Sequence, residues 1–187
     1  IKLQAQPPKT LIQKIINNEL DLGMIEGDCD HPDIEVKPWI ADELAIFSAP
    51  DHPLAKEKNI NIDELYKQAW VLREKGSGTR ETFDRVFGKN QKNMTIRLEL
   101  EHTEAIKRAV ESGIGIGCIS RLALKDEFKR GNLVALDVKN IKLDRYFYFL
   151  WPKSKYQANG IKQFLIMCND MTAGLERSDQ INLPIGI

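Results

Sequence analysis

What this sequence does not contain narrows its role first. It has no surplus of charge: 27 Lys+Arg stand against 27 Asp+Glu in 187 residues, net zero. A chain that grips a nucleic-acid backbone by itself carries a basic excess, because affinity comes largely from neutralising phosphates. Direct DNA binding by this segment is therefore not expected. No apolar run approaches the roughly 18–20 residues that cross a bilayer, and no basic-then-apolar leader opens the chain, so a soluble protein without membrane contact is expected. Aromatic content is only 7%. The three cysteines, Cys29, Cys118 and Cys168, are odd in number and widely spaced. They offer no disulfide framework and point to a reduced, cytoplasmic setting.

Nucleotide, metal and catalytic signatures are missing too. No stretch supplies the G-x-x-x-x-G-K-[ST] phosphate loop. Gly113, Gly115 and Gly117 imitate a dinucleotide fingerprint, but Cys118 holds the third glycine's place. The series also leaves a helix and enters a strand, the reverse of the required turn, and reads instead as a helix stop followed by close backbone packing. Cys29-Asp30-His31 lacks the paired spacing of a zinc site, His52 and His102 stand alone, and a turn into Pro32 is the simpler reading. Neither metal nor other cofactor is expected. Ser77 has Lys75 where a nucleophile elbow needs glycine, and no histidine is placed to activate it, so no enzymatic activity is expected.

What is present is organised. Residues 1–49 hold 4 Lys+Arg and 9 Asp+Glu, residues 50–145 hold 19 and 15, and residues 146–187 hold 4 and 3. These charges are either ordinary solvated faces or a middle segment whose field favours a small anion. Leu11, Ile12, Ile15, Ile16 and Leu20 repeat as one helix face, and residues 22–25 read as a short buried strand. The apolar run 44–49 ends at Ala49-Pro50, a first crossing between lobes. Strand patterns follow at 69–73, 95–100, 114–119 and 133–138. They alternate with helical patterns at 79–87, 103–112 and 122–130, which stop at Gly88, Gly113 and Gly131 as left-handed glycine ends. Such alternation predicts an α/β fold with a mostly parallel sheet covered on its faces. The aromatic run 146–151 reads as a core strand, a helix capped by Asn159 follows at 160–171, and residues 172–187 form a tail.

The most informative loop is Gly76-Ser77-Gly78-Thr79-Arg80. It follows a strand and opens a helix, where unpaired N–H groups and the positive helix end favour an anion. Thr79 as a plain N-cap is the competing account. Thr103 repeats the device after the next strand, and two strand ends of one parallel sheet put both hydroxyls on one edge, where open α/β sheets bind ligands.

Several segments taken in order resemble a known family. They are Asn18-Glu19-Leu20-Asp21-Leu22-Gly23 with Ile25-Glu26-Gly27, Asp51-His52-Pro53-Leu54-Ala55, Val71-Leu72-Arg73-Glu74 with the 76–80 loop, and Thr103 to Lys107 with Gly113-Ile114-Gly115-Ile116. Over residues 1–171 this is similar to the effector-binding domain of LysR-type transcriptional regulators, and most like the branch concerned with sulfur assimilation and carbon fixation. The resemblance implies a two-lobed fold like that of periplasmic binding proteins, with two mostly parallel sheets joined by two crossover strands and an effector in the cleft. Lobe one is then 1–49 plus 146–171, and lobe two 50–145. It implies a cytoplasmic regulator, a homodimer through this domain and a tetramer at full length, with DNA bound only by an N-terminal helix-turn-helix absent here. The domain's usual first strand and helix are expected to be missing as well.

Carried over by position, Ser77, Gly78 and Thr79 match the effector-facing loop, and Thr103 the helix-capping hydroxyl beside it. Glu74 and Arg80 flank the loop, orienting it or a ligand, or forming a surface ion pair with each other. Glu26 matches the end of a lobe-one strand near the effector. The expected partner is a small anion: a sulfur oxyanion, a phosphate or a carboxylate. A transporter's solute-binding protein and an enzyme on the same scaffold are the alternatives.

Overall fold

The computed structural model describes residues 7–27, 29–88, 92 and 94–182. In chain order the elements are α1 (Pro8–Ile16), β1 (Gly23–Glu26), β2 (Ile34–Ser48), α2 (Ile62–Tyr66), β3 (Ala69–Arg73), α3 (Gly78–Phe87), β4 (Thr95–Leu100) and α4 (Thr103–Glu111). They continue with β5 (Ile116–Ser120), α5 (Arg121–Arg130), β6 (Val134–Ala135), β7 (Asp144–Pro152) and α6 (Asn159–Met171). Two compact units result: Glu43–Asp144, and the remainder up to Asp42 and from Arg145 onward. The strands β2 and β7 each carry residues of both units. The first crossing falls after Asp42 rather than at Ala49-Pro50, because Leu44 to Phe47 pair with β5 of the second unit.

In the second unit β3 lies parallel to both β4 and β5, and β2 joins β5 antiparallel. Period-two alternation builds a core on each face. Leu44, Ile46, Trp70, Leu72 and Ile116 pack with Leu65 of α2 and with Phe83 and Phe87 of α3. Ala45, Phe47, Val71 and Ile119 point the other way, against Ile106 and Val110 of α4 and Leu124 of α5. Gly115 and Gly117 belong to this packing. A Cβ on Gly115 would lie 2.3 Å from the Ala69 carbonyl oxygen, and one on Gly117 would lie 2.7 Å from the Phe47 ring. Of the helix stops, Gly113 and Gly131 take positive φ (79° and 76°), whereas Gly88 stays right-handed (φ −55°) and serves only as a cap residue.

In the first unit β7 stands between β1 and β2, and β1 pairs with it antiparallel. Leu11 and Ile15 of α1 pack on Ile25, Ile34 and Leu150, as their spacing predicts. Phe149 packs instead with Leu165 and Cys168 of α6. Helix α6 starts at Asn159 itself; Ala158 is its N-cap, and no side chain caps it. Residues 172–182 are no tail. Trp39 Nε1 donates to Thr172 Oγ1 (3.1 Å), Ser178 Oγ donates to Asp42, and Ile181 is buried. Single anchors hold this segment, so no periodicity marks it in the sequence. Among the described residues, no helix is long and apolar enough to cross a membrane.

Candidate functional site: the strand-end edge of the second unit

Parallel β3 and β4 end level, with Arg73 opposite Leu100. Each therefore releases its chain at the same sheet edge, and each is followed within a few residues by a helix N-terminus, α3 at Gly78 and α4 at Thr103. The turn into α3 is made by Gly76, whose φ of 90° only glycine adopts without strain. Ser77 is the N-cap: its Oγ donates to the Glu74 carbonyl (3.0 Å) and accepts from Arg80 N–H (3.1 Å). Thr79 is not the cap. It is a buried residue of the first turn, as Gly78 is. The capping role expected of Thr103 fails too, because His102 holds the extended N-cap conformation and offers no side-chain bond. The hydroxyl of Thr103 instead sits half-buried on the first helical residue. The first-turn amides of two helices thus lie at one sheet edge, one helix capped by Ser77 and the other without a side-chain cap.

Glu74 and Arg80 do not pair with each other. Arg73 holds Glu74 in a bidentate bond (2.7 and 2.8 Å). Partial burial pushes the Glu74 carboxyl up, but the Arg73 bond, its own backbone N–H and the charges of Arg73 and His102 outweigh this and bring it below the usual carboxylate range. The Arg80 side chain is 1% exposed and ties three elements together, donating to Asp84 (2.8 Å), Glu99 (2.8 Å) and the Arg73 carbonyl (3.0 Å). Arg73 and Glu74 cancel in charge, and each helix terminus adds its own partial positive charge at this edge.

Glu26 belongs to the first unit. It accepts from Arg145 Nη1 (2.6 Å), while Arg145 Nε donates to the buried Asp42 (2.6 Å), which also accepts from Ser178. Sequence reasoning missed this network. Its one sign there is a pair of charged residues, Asp42 and Arg145, next to strongly apolar strand runs. Among the described residues, no group of His, Cys, Asp and Glu is gathered to hold a metal ion.

Two α/β units joined by shared strands, one of them with parallel strands β3 and β4 ending in paired helix N-termini, define a ligand-binding domain of the periplasmic-binding-protein-like class. The profile of the LysR substrate binding domain matches residues 1–173. The chain belongs to that family. It is 34% identical over 169 residues to the HTH-type transcriptional regulator YeiE of Escherichia coli (strain K12), covering 90% of this chain and 57% of that protein. It is 32% identical over 165 residues to the HTH-type transcriptional activator CmpR of Synechocystis, covering 88% and 54%. The CcmR regulatory domain of Synechocystis PCC6803, solved in complex with 2-PG, superposes with a TM-score of 0.80 at 31% identity, covering 89% of this chain and 80% of that one. These relatives are transcriptional regulators, and the chain spans little more than half the length of the two full proteins.

Proposed function

We propose that this chain is the sensory part of a cytoplasmic LysR-type regulator and that it takes a small anion at the β3/β4 edge of the second unit. The observation that carries the reading is the level ending of two parallel strands into two helix N-termini, with Ser77, Gly78, Thr79 and Thr103 around them. Backbone N–H groups and helix dipoles favour an anion at such an edge without a dedicated cation. Arg80 serves as a brace for the loop and Glu74 as the anchor of Ser77 through its carbonyl, and neither is a direct ligand. Glu26 is engaged with Arg145 within the first unit and has no part in this edge. A sulfur oxyanion, a phosphate or a carboxylate suits the edge, and the complex of the CcmR domain with 2-phosphoglycolate favours a phosphate-bearing carboxylate. Binding alters transcription only by its differential affinity for two arrangements of the regulator, with DNA read elsewhere in the full protein and the domain acting as a homodimer. Calorimetric titration with 2-phosphoglycolate, sulfate, sulfite, thiosulfate, phosphate and small carboxylates tests this. One of them should bind, and Ser77→Ala with Thr103→Val should weaken it.

A further inference from the structure

A second cavity, unrelated to the strand-end edge, lies wholly within the second unit along the side of β2 away from β5. The returning chain is bridged to β2 at two points there, Leu44 N–H to the Leu143 carbonyl (3.0 Å) and Leu136 N–H to the Ile46 carbonyl (2.8 Å). Between them the chain bows away, because Ile60 takes its backbone bonds: Ile60 N–H donates to the Asp137 carbonyl (2.8 Å) and Lys139 N–H to the Ile60 carbonyl (2.9 Å). The gap is a cavity of about 320 Å³ whose charged lining is Glu43, Arg121 and Asp137, with Leu136, Val138 and Ile141 among its apolar walls. Strands β5 and β3 separate β2 from β4, so this cavity and the anion edge are distinct.

Its charges select a ligand class. Arg121 is the first residue of α5, where the helix end adds to its positive charge. Its Nε–H is buried and has no hydrogen-bond acceptor. Glu43 Oε1 stands 3.2 Å away but outside hydrogen-bond geometry. A buried donor left unmade is costly, so an incoming carboxylate gains by satisfying it. A simple anion is disfavoured, however, because Glu43 and Asp137 face the same space and repel it. A simple cation meets Arg121. A sugar finds no aromatic platform in the lining. A molecule carrying both signs close together, with a small apolar part, matches all three charges and the wall.

We propose that this cavity binds a free α-amino acid, its carboxylate on Arg121, its ammonium between Glu43 and Asp137, and its side chain against Val138 and Ile141. The test is ¹⁵N NMR and calorimetry on the full chain with each of the twenty amino acids. At least one should shift the amides of residues 43–46, 121 and 136–143. N-acetylation and methyl esterification of that amino acid, each removing one charge, should weaken binding by about tenfold or more. Arg121→Gln and Glu43→Gln should do the same while leaving the response of amides 77–79 to phosphate as it is in the unaltered chain. The proposal is overturned if no amino acid up to on the order of 10 mM shifts these amides. It is equally overturned if the N-acetyl or ester derivative binds as well as its parent, a comparison that needs no variant to fold. Silence of amides 77–79 toward every anion contradicts the strand-end reading alone.

Discussion

Ser77 joins local structure to the proposed anion site. Its hydroxyl makes two bonds, one closing the Gly76 turn and one capping α3. Ser77→Ala should therefore cost about 0.5–2 kcal/mol of stability and also weaken anion binding, read by urea unfolding and calorimetry on the same variant. Arg80 behaves differently. Its partners Asp84 and Glu99 are 38% and 41% exposed, so water can take them back, but the Arg73 carbonyl and the emptied volume remain. Arg80→Met should cost about 2–3 kcal/mol, with anion affinity lost only as far as the loop loosens. Asp42 has no such relief, because both it and Arg145 are buried. Asp42→Asn removes one carboxylate from Arg145 while Glu26 keeps its bond, and urea unfolding should record a loss of about 1–3 kcal/mol.

At the scale of elements, the strands and helices of the second unit were readable because apolar alternation and helix stops agree there. The starts of helices were read less well. Thr103 and Asn159 are residue types that favour caps, yet the extended residues before them, His102 and Ala158, hold the cap position. Backbone conformation decides a cap, and residue type only biases it. The 76–80 loop was legible as a strand-to-helix turn, but which hydroxyl caps it depended on geometry. Gly115 could be read as a site of close packing and not as a nucleotide motif. Gly115→Ala should force β5 from β3 and cost about 3 kcal/mol or more.

The tie between α4 and α5 carries a pH signature. Burial raises the Glu127 carboxyl, but the Lys107 bond, its own backbone N–H and the charges of Lys107 and Arg130 bring it below the ordinary range. Burial lowers the Lys107 amine, and its bonds to Glu104 and Glu127 raise it above the ordinary range. The Glu127 contribution is full above its unfolded pKa of about 4.3 and fades as pH falls through the lower folded value. The Lys107 contribution is full below about 10.4 and fades as pH rises through its higher folded value. Denaturant unfolding should show Glu127→Gln less stable than the parent at neutral pH, with the gap narrowing below about pH 4. A gap constant with pH contradicts this.

For the whole molecule, zero net charge conceals an acidic first segment and a basic middle. The two-unit architecture was legible only through the order of modest motifs. The Asp42–Arg145–Ser178 network was not, because it joins residues far apart in sequence that share no periodicity. Anion recognition at the β3/β4 edge is the central claim. Its most direct measurement is calorimetric titration of the unaltered chain, Ser77→Ala and Thr103→Val with the anion panel. We expect one anion to bind the unaltered chain and each substitution to weaken it by about fivefold or more. Binding of that anion with equal affinity to all three proteins would contradict the account.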